Sequence, residues 1–137
     1  MSDRIRRVQY FYFEVPDQPG EGARLFEKLK DAKVNLVSFT SFPTGGGRSQ
    51  VDVVPEDPAA FLDAIKHLGM KHSPPKEAFL IQGGDRVGAV AEILKKLGAA
   101  KVNVTAANAS VAQGGGFGMI LWVKAQDVAA AAKALGA

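Results

Sequence analysis

The chain repeats itself, and that repeat restricts the fold more than any other feature. "AKVNLVSF" (Ala32 to Phe39) returns as "AKVNVTAA" (Ala100 to Ala107), an offset of 101 − 33 = 68. The same offset carries Asp17 to Asp85 and Gly20 to Gly88, so "DQPG" reappears as "DRVG". The glycine runs Gly45–Gly47 and Gly114–Gly116 correspond within one residue, and "AIKHLG" (Ala64 to Gly69) is echoed by "AAKALG" (Ala131 to Gly136). Self-similarity at a fixed period marks a repeated supersecondary unit. Two copies account for nearly all 137 residues.

Each copy has the same succession of patterns. Val8 to Val15 is rich in aromatic and β-branched residues and reads as a strand. From Pro19 to Ala32 the apolar residues Leu25, Phe26 and Leu29 recur at helical spacing. Val34 to Phe42 and Ser49 to Val54 read as two further strands, the latter alternating Val51 and Val53 with Gln50 and Asp52. Asp57 and Pro58 open a second helix that closes on Gly69. Met70 to Ser73 is expected to form a short fourth strand, ended by Pro74 and Pro75. The second copy predicts strands at Glu77 to Gln82, Val102 to Ser110 and Phe117 to Lys124. Its helices follow Val87 and Asp127, and the sequence stops at Ala137 before a fourth strand.

The expected fold class is therefore α+β. Two ferredoxin-like βαββαβ units stand in tandem, residues 1–75 and 76–137, with antiparallel sheets and helices on one face. Seven strands are predicted. The second unit lacks its last strand, which leaves a sheet edge for something else to cover.

Composition narrows the class of function. The chain is 47% hydrophobic and 23% charged, and it has no cysteine, which removes disulfides and thiolate metal sites. Net charge is +3, too mild to imply nucleic acid. Residues 69–137 carry eight basic and four acidic residues, so what basic character exists lies in the second copy, where a solvated face explains it as well as an anionic ligand does. No apolar run is long enough for a membrane helix and the first residues lack a signal-peptide pattern, so the expected location is cytoplasmic.

A βαββαβ unit of this length, with D-x-P-G at the first strand–helix junction and K-V-N after the helix, resembles the ACT domain. That family consists of small regulatory modules that bind amino acids and related metabolites. The resemblance covers residues ~8–137 as two units. The first copy matches through Asp17, Pro19, Gly20 and Asn35; in the second, Val87 replaces the proline. It implies a non-catalytic sensor that binds an amino acid or similar metabolite at the interface between paired units. It also implies a homodimer and a regulated enzyme partner.

The ligand-binding residues so implied are Asp17, Gln18, Pro19, Gly20, Asn35 and Leu36, and in the second copy Asp85, Arg86, Val87, Gly88, Asn103 and Val104. Physical chemistry allows it. With Pro19 as the first helical residue, Gly20, Glu21 and Gly22 would present free N–H groups to a carboxylate, and Asp17 would receive an ammonium. The same residues equally describe a plain turn: Asp17 or Gln18 caps, Pro19 sets φ, and Gly20 permits close packing. Glu21 would repel an anion in the first copy, whereas Arg86 makes the second the more welcoming. Asn35 and Asn103 read equally well as ligand contacts or as residues bonding their own backbone. The "GGG" hairpins read as flexible loops over the site.

An adaptor or oligomerisation module with degenerate sites is the alternative. An RNA-recognition module shares the element order, and "GGFGMILW" (Gly115 to Trp122) approaches its third-strand pattern. It lacks the basic residue and the second aromatic, so the expectation is no nucleic acid and no membrane partner. No cofactor, metal or catalytic constellation is expected. His67 and His72 are the only histidines, and no nucleophile or phosphate-loop motif occurs.

Overall fold

The computed structural model describes residues 3–137. The elements run β1 (Arg4–Pro16), α1 (Glu21–Asp31), β2 (Leu36–Gly45), β3 (Arg48–Pro55), α2 (Pro58–Leu68), β4 (Lys76–Gly84), α3 (Ala89–Ala99), β5 (Val104–Ala112), β6 (Gly116–Val123) and α4 (Val128–Leu135). A 3₁₀ turn, Ala125–Asp127, leads into α4. The chain is α+β, as its patterning predicts, with six strands among the described residues rather than seven.

Two compact units emerge from the contacts. One is Gln9–Lys76; the other joins residues 3–8 to Glu77–Ala137. In the first unit the strand order is β2-β3-β1. β1 and β3 run antiparallel with Phe11 opposite Val53 and Phe13 opposite Val51. Those four side chains share one face and pack against Leu25 and Leu29 of α1 and Phe61 and Ile65 of α2. Phe11 and Phe61 meet with ring centroids 4.7 Å apart. The period-2 alternation in the strands and the helical stripe thus bury one common core.

The strands and first helix of the second unit reproduce this core at the 68-residue offset, while α4 contributes its own residues. Phe79 and Ile81 of β4 and Met119 and Leu121 of β6 pack against Ile93 and Leu97 of α3 and Ala132 and Leu135 of α4. Phe79 stands 68 positions after Phe11, and both are fully buried. β4 and β5 each run antiparallel to β6.

Helix ends follow the sequence closely. The Asp57 carboxylate accepts from the Ala60 N–H at 3.1 Å, and Gly69 closes α2 with φ +63°. Lys33 and Lys101 occupy equivalent left-handed positions after α1 and α3, both at φ +59°. There Val34 donates to Leu29 O and Val102 to Leu97 O, each at 2.9 Å, which satisfies carbonyls the helix leaves open.

Three expectations need correction. Met70 to Ser73 forms no strand. Instead the Ser73 N–H donates to Tyr12 O at 2.9 Å while the Tyr12 N–H donates to Ser73 Oγ rather than to a carbonyl. Pro74 and Pro75 have no N–H to continue a ladder. Next, the edge left by the second unit is not open. β1 begins four residues earlier than its pattern suggests, and β4 is hydrogen-bonded between β1 and β6. Ile5 packs on the second unit's core, and Arg7 pairs with Glu77 at 3.3 Å. The start of β1 therefore fills the lane beside β4, and residues 3–8 group with 77–137 rather than with the first copy. Finally, Gly20, not Pro19, borders α1, as the next section describes.

Candidate functional site

The two strand–helix junctions have one backbone design. Gly20 and Gly88 are the residues bordering α1 and α3, at φ +89° and +85°. Such angles are strained for any residue with a Cβ, and open space surrounds both glycines. Glycine is there for its torsion angle, not to let helix and sheet approach. Pro19 lies outside the helix, and Glu21, not Pro19, is the first helical residue.

That shift alters which donors are free. The Glu21 N–H bonds Gln18 O and the Ala89 N–H bonds Arg86 O, each at 3.3 Å. Glu21 is therefore not part of an open N–H row. Neither helix has a side-chain cap, so Asp17 and Gln18 do not cap α1.

Asp17 and Asp85 do matching work at the hairpins. The Asp17 N–H donates to Gly47 O and the Asp85 N–H to Gly115 O, both at 2.8 Å. Each glycine hairpin is thereby tied directly to the junction. The Asp17 carboxylate also accepts from Ser49 Oγ at 3.2 Å.

The remaining predicted residues divide. Asn35 is occupied structurally: its Nδ2 donates to Glu56 Oε2 at 3.2 Å and its carbonyl accepts from the Glu56 N–H at 2.9 Å. Leu36 and Val104 begin β2 and β5 and pack partly against the two cores. Asn103 is exposed just before β5. Val87, in the place of Pro19, is fully exposed.

In the second unit Asp85, Arg86 and Gly88 come together around a cavity of about 240 Å³. Its other walls are the first turn of α3, from Ala89 to Ala91, with Ser110 of β5 and Phe117 of β6. Its lining does not include Asn103, Val104 or Val87.

Arg86 departs from expectation. It does not stand as a free cation waiting for an anion. Its Nη1 and Nη2 donate to Asp3 Oδ1 and Oδ2 at 3.0 and 3.1 Å, a two-pronged match of guanidinium to carboxylate. Nη1 also reaches Gly84 O at 3.0 Å, and Nη2 contacts Glu92 Oε2. Hydrogen bonding from Arg86 holds the Asp3 carboxyl below its ordinary range, and Asp3, then Glu92, raise Arg86 further. The positive charge that favoured this loop in the sequence is already matched by two carboxylates. Asp3 was invisible as a site residue because it lies 83 positions from its partner. The doublet Gly83–Gly84 was the available signal.

The RNA-recognition alternative loses its key side chain. Phe117 is only 6% exposed and belongs to the core that faces the helices, as do Phe11 and Phe13 in the first unit. Stacking bases requires aromatics on an accessible face. His67 bonds the Asp63 carbonyl while His72 packs edge-on against Phe11, so they form no common site. Among the described residues no group of three or more metal-ligating side chains occurs, and no helix is long and apolar enough to cross a membrane.

No protein-family model and no curated protein sequence matches the chain. Solved structures do. A protein of Bacteroides thetaiotaomicron superposes with a TM-score of 0.78 at 15% identity, over 96% of this chain and 88% of that one. The ligand-free regulatory subunit of aspartate kinase from Thermus thermophilus matches with a TM-score of 0.63 at 18% identity, over 98% and 94%. The corresponding subunit from Thermus flavus gives 0.57 at 16%, over 99% and 95%. The fold is that of ACT-domain regulatory proteins. The ACT-like junction motif quoted from the sequence, D-x-P-G, thus lies where that fold turns from its first strand into its first helix.

Proposed function

We propose that the protein is a non-catalytic ACT-like sensor that binds a small metabolite, an amino acid being the first class to try, in the cavity beside Gly88. The observation that carries this reading is the convergence of Asp85, Gly88 and the first turn of α3 on one recess. Beyond Ala89, whose N–H is taken by Arg86 O, that turn offers backbone N–H groups and the positive end of a helix dipole to a carboxylate, and Asp85 borders the same recess for an ammonium. A volume of about 240 Å³ suits a molecule of amino-acid size. The reading is strengthened by the regulatory character of the aspartate kinase subunits that share the fold. Action on an enzyme partner, and pairing of two copies, belong to the same proposal.

Thermal denaturation in the presence of the twenty amino acids tests it. At a hundred times its dissociation constant a ligand stabilises by about 2.7 kcal/mol. Ser110→Phe, which copies the residue 68 positions earlier (Phe42), should fill the recess and remove that shift. A shift that survives Ser110→Phe undiminished moves the site elsewhere.

A further inference from the structure

A second recess in the same unit holds a different arrangement. Asp3, Arg86, Glu92, Lys96 and Leu135 line a cleft of about 590 Å³. It shares only Arg86 with the cavity at Gly88. Within it the Asp3 carboxylate meets the Arg86 guanidinium with two hydrogen bonds, and Lys96 lies in electrostatic reach of the same carboxylate. The Asp3 side chain is 9% exposed.

The wall behind that carboxylate is Gly83. A Cβ at position 83 would collide with Asp3 Oδ1 and press on the Phe117 ring. Position 83 has an ordinary backbone torsion, so its glycine is explained by space rather than conformation. The cleft therefore has three parts of a carboxylate receptor: a guanidinium fork, a supporting ammonium and a recess cut to the size of the carboxyl group. Without Asp3 the charged side chains that remain are Arg86, Lys96 and Glu92, a net charge of 2 − 1 = +1.

We propose that this cleft is a binding site for a small free carboxylate and that Asp3 is its built-in occupant, which the ligand must displace. A tethered group competes at high effective concentration, so the free ligand binds at a fraction of its intrinsic affinity until the tether is cut. Displacement also releases the Asp3 side chain from the Arg86 fork. A ligand at Gly88 has no such requirement.

Acetate is the probe, with chloride at equal ionic strength as the control. In the unaltered protein, acetate should move the Asp3 carboxyl resonance toward that of an unpaired carboxylate, and chloride should not. Asp3→Ala should bind acetate about tenfold or more tightly than the unaltered protein, read by calorimetry or by the rise in melting temperature. Asp3→Ala combined with Gly83→Ala keeps every cation but fills the recess, and acetate should then give no rise. An Asp3 carboxyl resonance that is the same in acetate and chloride overturns the proposal, and this reading does not depend on any variant folding. An equal acetate response in the single and double variants overturns it as well. Because Arg86 borders both recesses, Ser110→Phe added to Asp3→Ala separates them: an acetate response that persists belongs to this cleft, and one that disappears belongs to the cavity at Gly88 and overturns the proposal.

Discussion

The junctions at Gly20 and Gly88 share their backbone hydrogen bonds and left-handed glycines and share little else. Glycine torsions, the 3.3 Å bond that closes the turn and the 2.8 Å bond from aspartate to hairpin recur in both. The side chains diverge. Asp17 is bonded to Ser49, and the groove beyond α1 holds the aromatic pair Phe26 and Phe39, 4.8 Å apart. Their second-unit equivalents, Leu94 and Ala107, are smaller, and Phe42 of β2 has as its equivalent Ser110, which lines the cavity beside Gly88. What persists between copies is what the fold needs; what changes is what a ligand would meet.

The largest test of this equivalence lies in the cores. Phe11→Ala and Phe79→Ala remove matching, fully buried rings, and each should cost about 3–5 kcal/mol in chemical denaturation. A difference of more than about 2 kcal/mol between them would show that the repeat does not divide stability evenly. A smaller loss comes from Gly20→Ala and Gly88→Ala. Because open space surrounds both, only the torsion resists, at about 1–2 kcal/mol in each case. Near-zero cost at either position would mean that the junction relaxes and that glycine there serves something other than the turn.

Acidity gives the subtlest contrast, because the two units respond with opposite sign. Asp3, in the second unit, has a depressed folded pKa caused first by its bond to Arg86. Its contribution is present above the ordinary carboxylate pKa and is lost as pH falls through the lowered value. Asp52, in the first, is raised, first by burial, against the opposing bond from Gln50 and the charge of Lys76. Its contribution is present below the ordinary pKa and is lost as pH rises through the raised value. Asp3→Asn should therefore flatten the acid limb of the stability profile, while Asp52→Asn should stabilise the protein near neutrality. Loss of neutral stability in Asp52→Asn would mean that the 2.8 Å bond from Gln50 outweighs the burial cost.

Much of this was legible in the sequence. The repeat located both junctions, Asp57 and Gly69 bounded α2 to the residue, and the alternation in β3 identified its core face. What stayed hidden depended on distant partners or torsions. "RIRR" offers one apolar residue and no periodicity, so nothing local marks Arg4–Arg7 as strand; its partner β4 begins at Lys76. The φ of Gly20 and Gly88 decides which residue begins each helix, and a sequence pattern does not report it. Arg86 looked like a free cation because Asp3, which meets it with two hydrogen bonds, lies 83 positions away.

The sharing of β1 has a consequence for how such a protein can be cut or rearranged. In the first unit the lane beside the leading strand is taken by residues that follow α2; in the second it is taken by residues that precede everything else. The second unit is thus a circular permutation of the first in chain order, with similar placement in space. A fragment that begins at Gln9 would keep one unit whole and strip the other of its outermost lane, while fusing residues 3–8 behind Ala137 would restore it. The hereditary unit and the folding unit do not share a boundary in this chain.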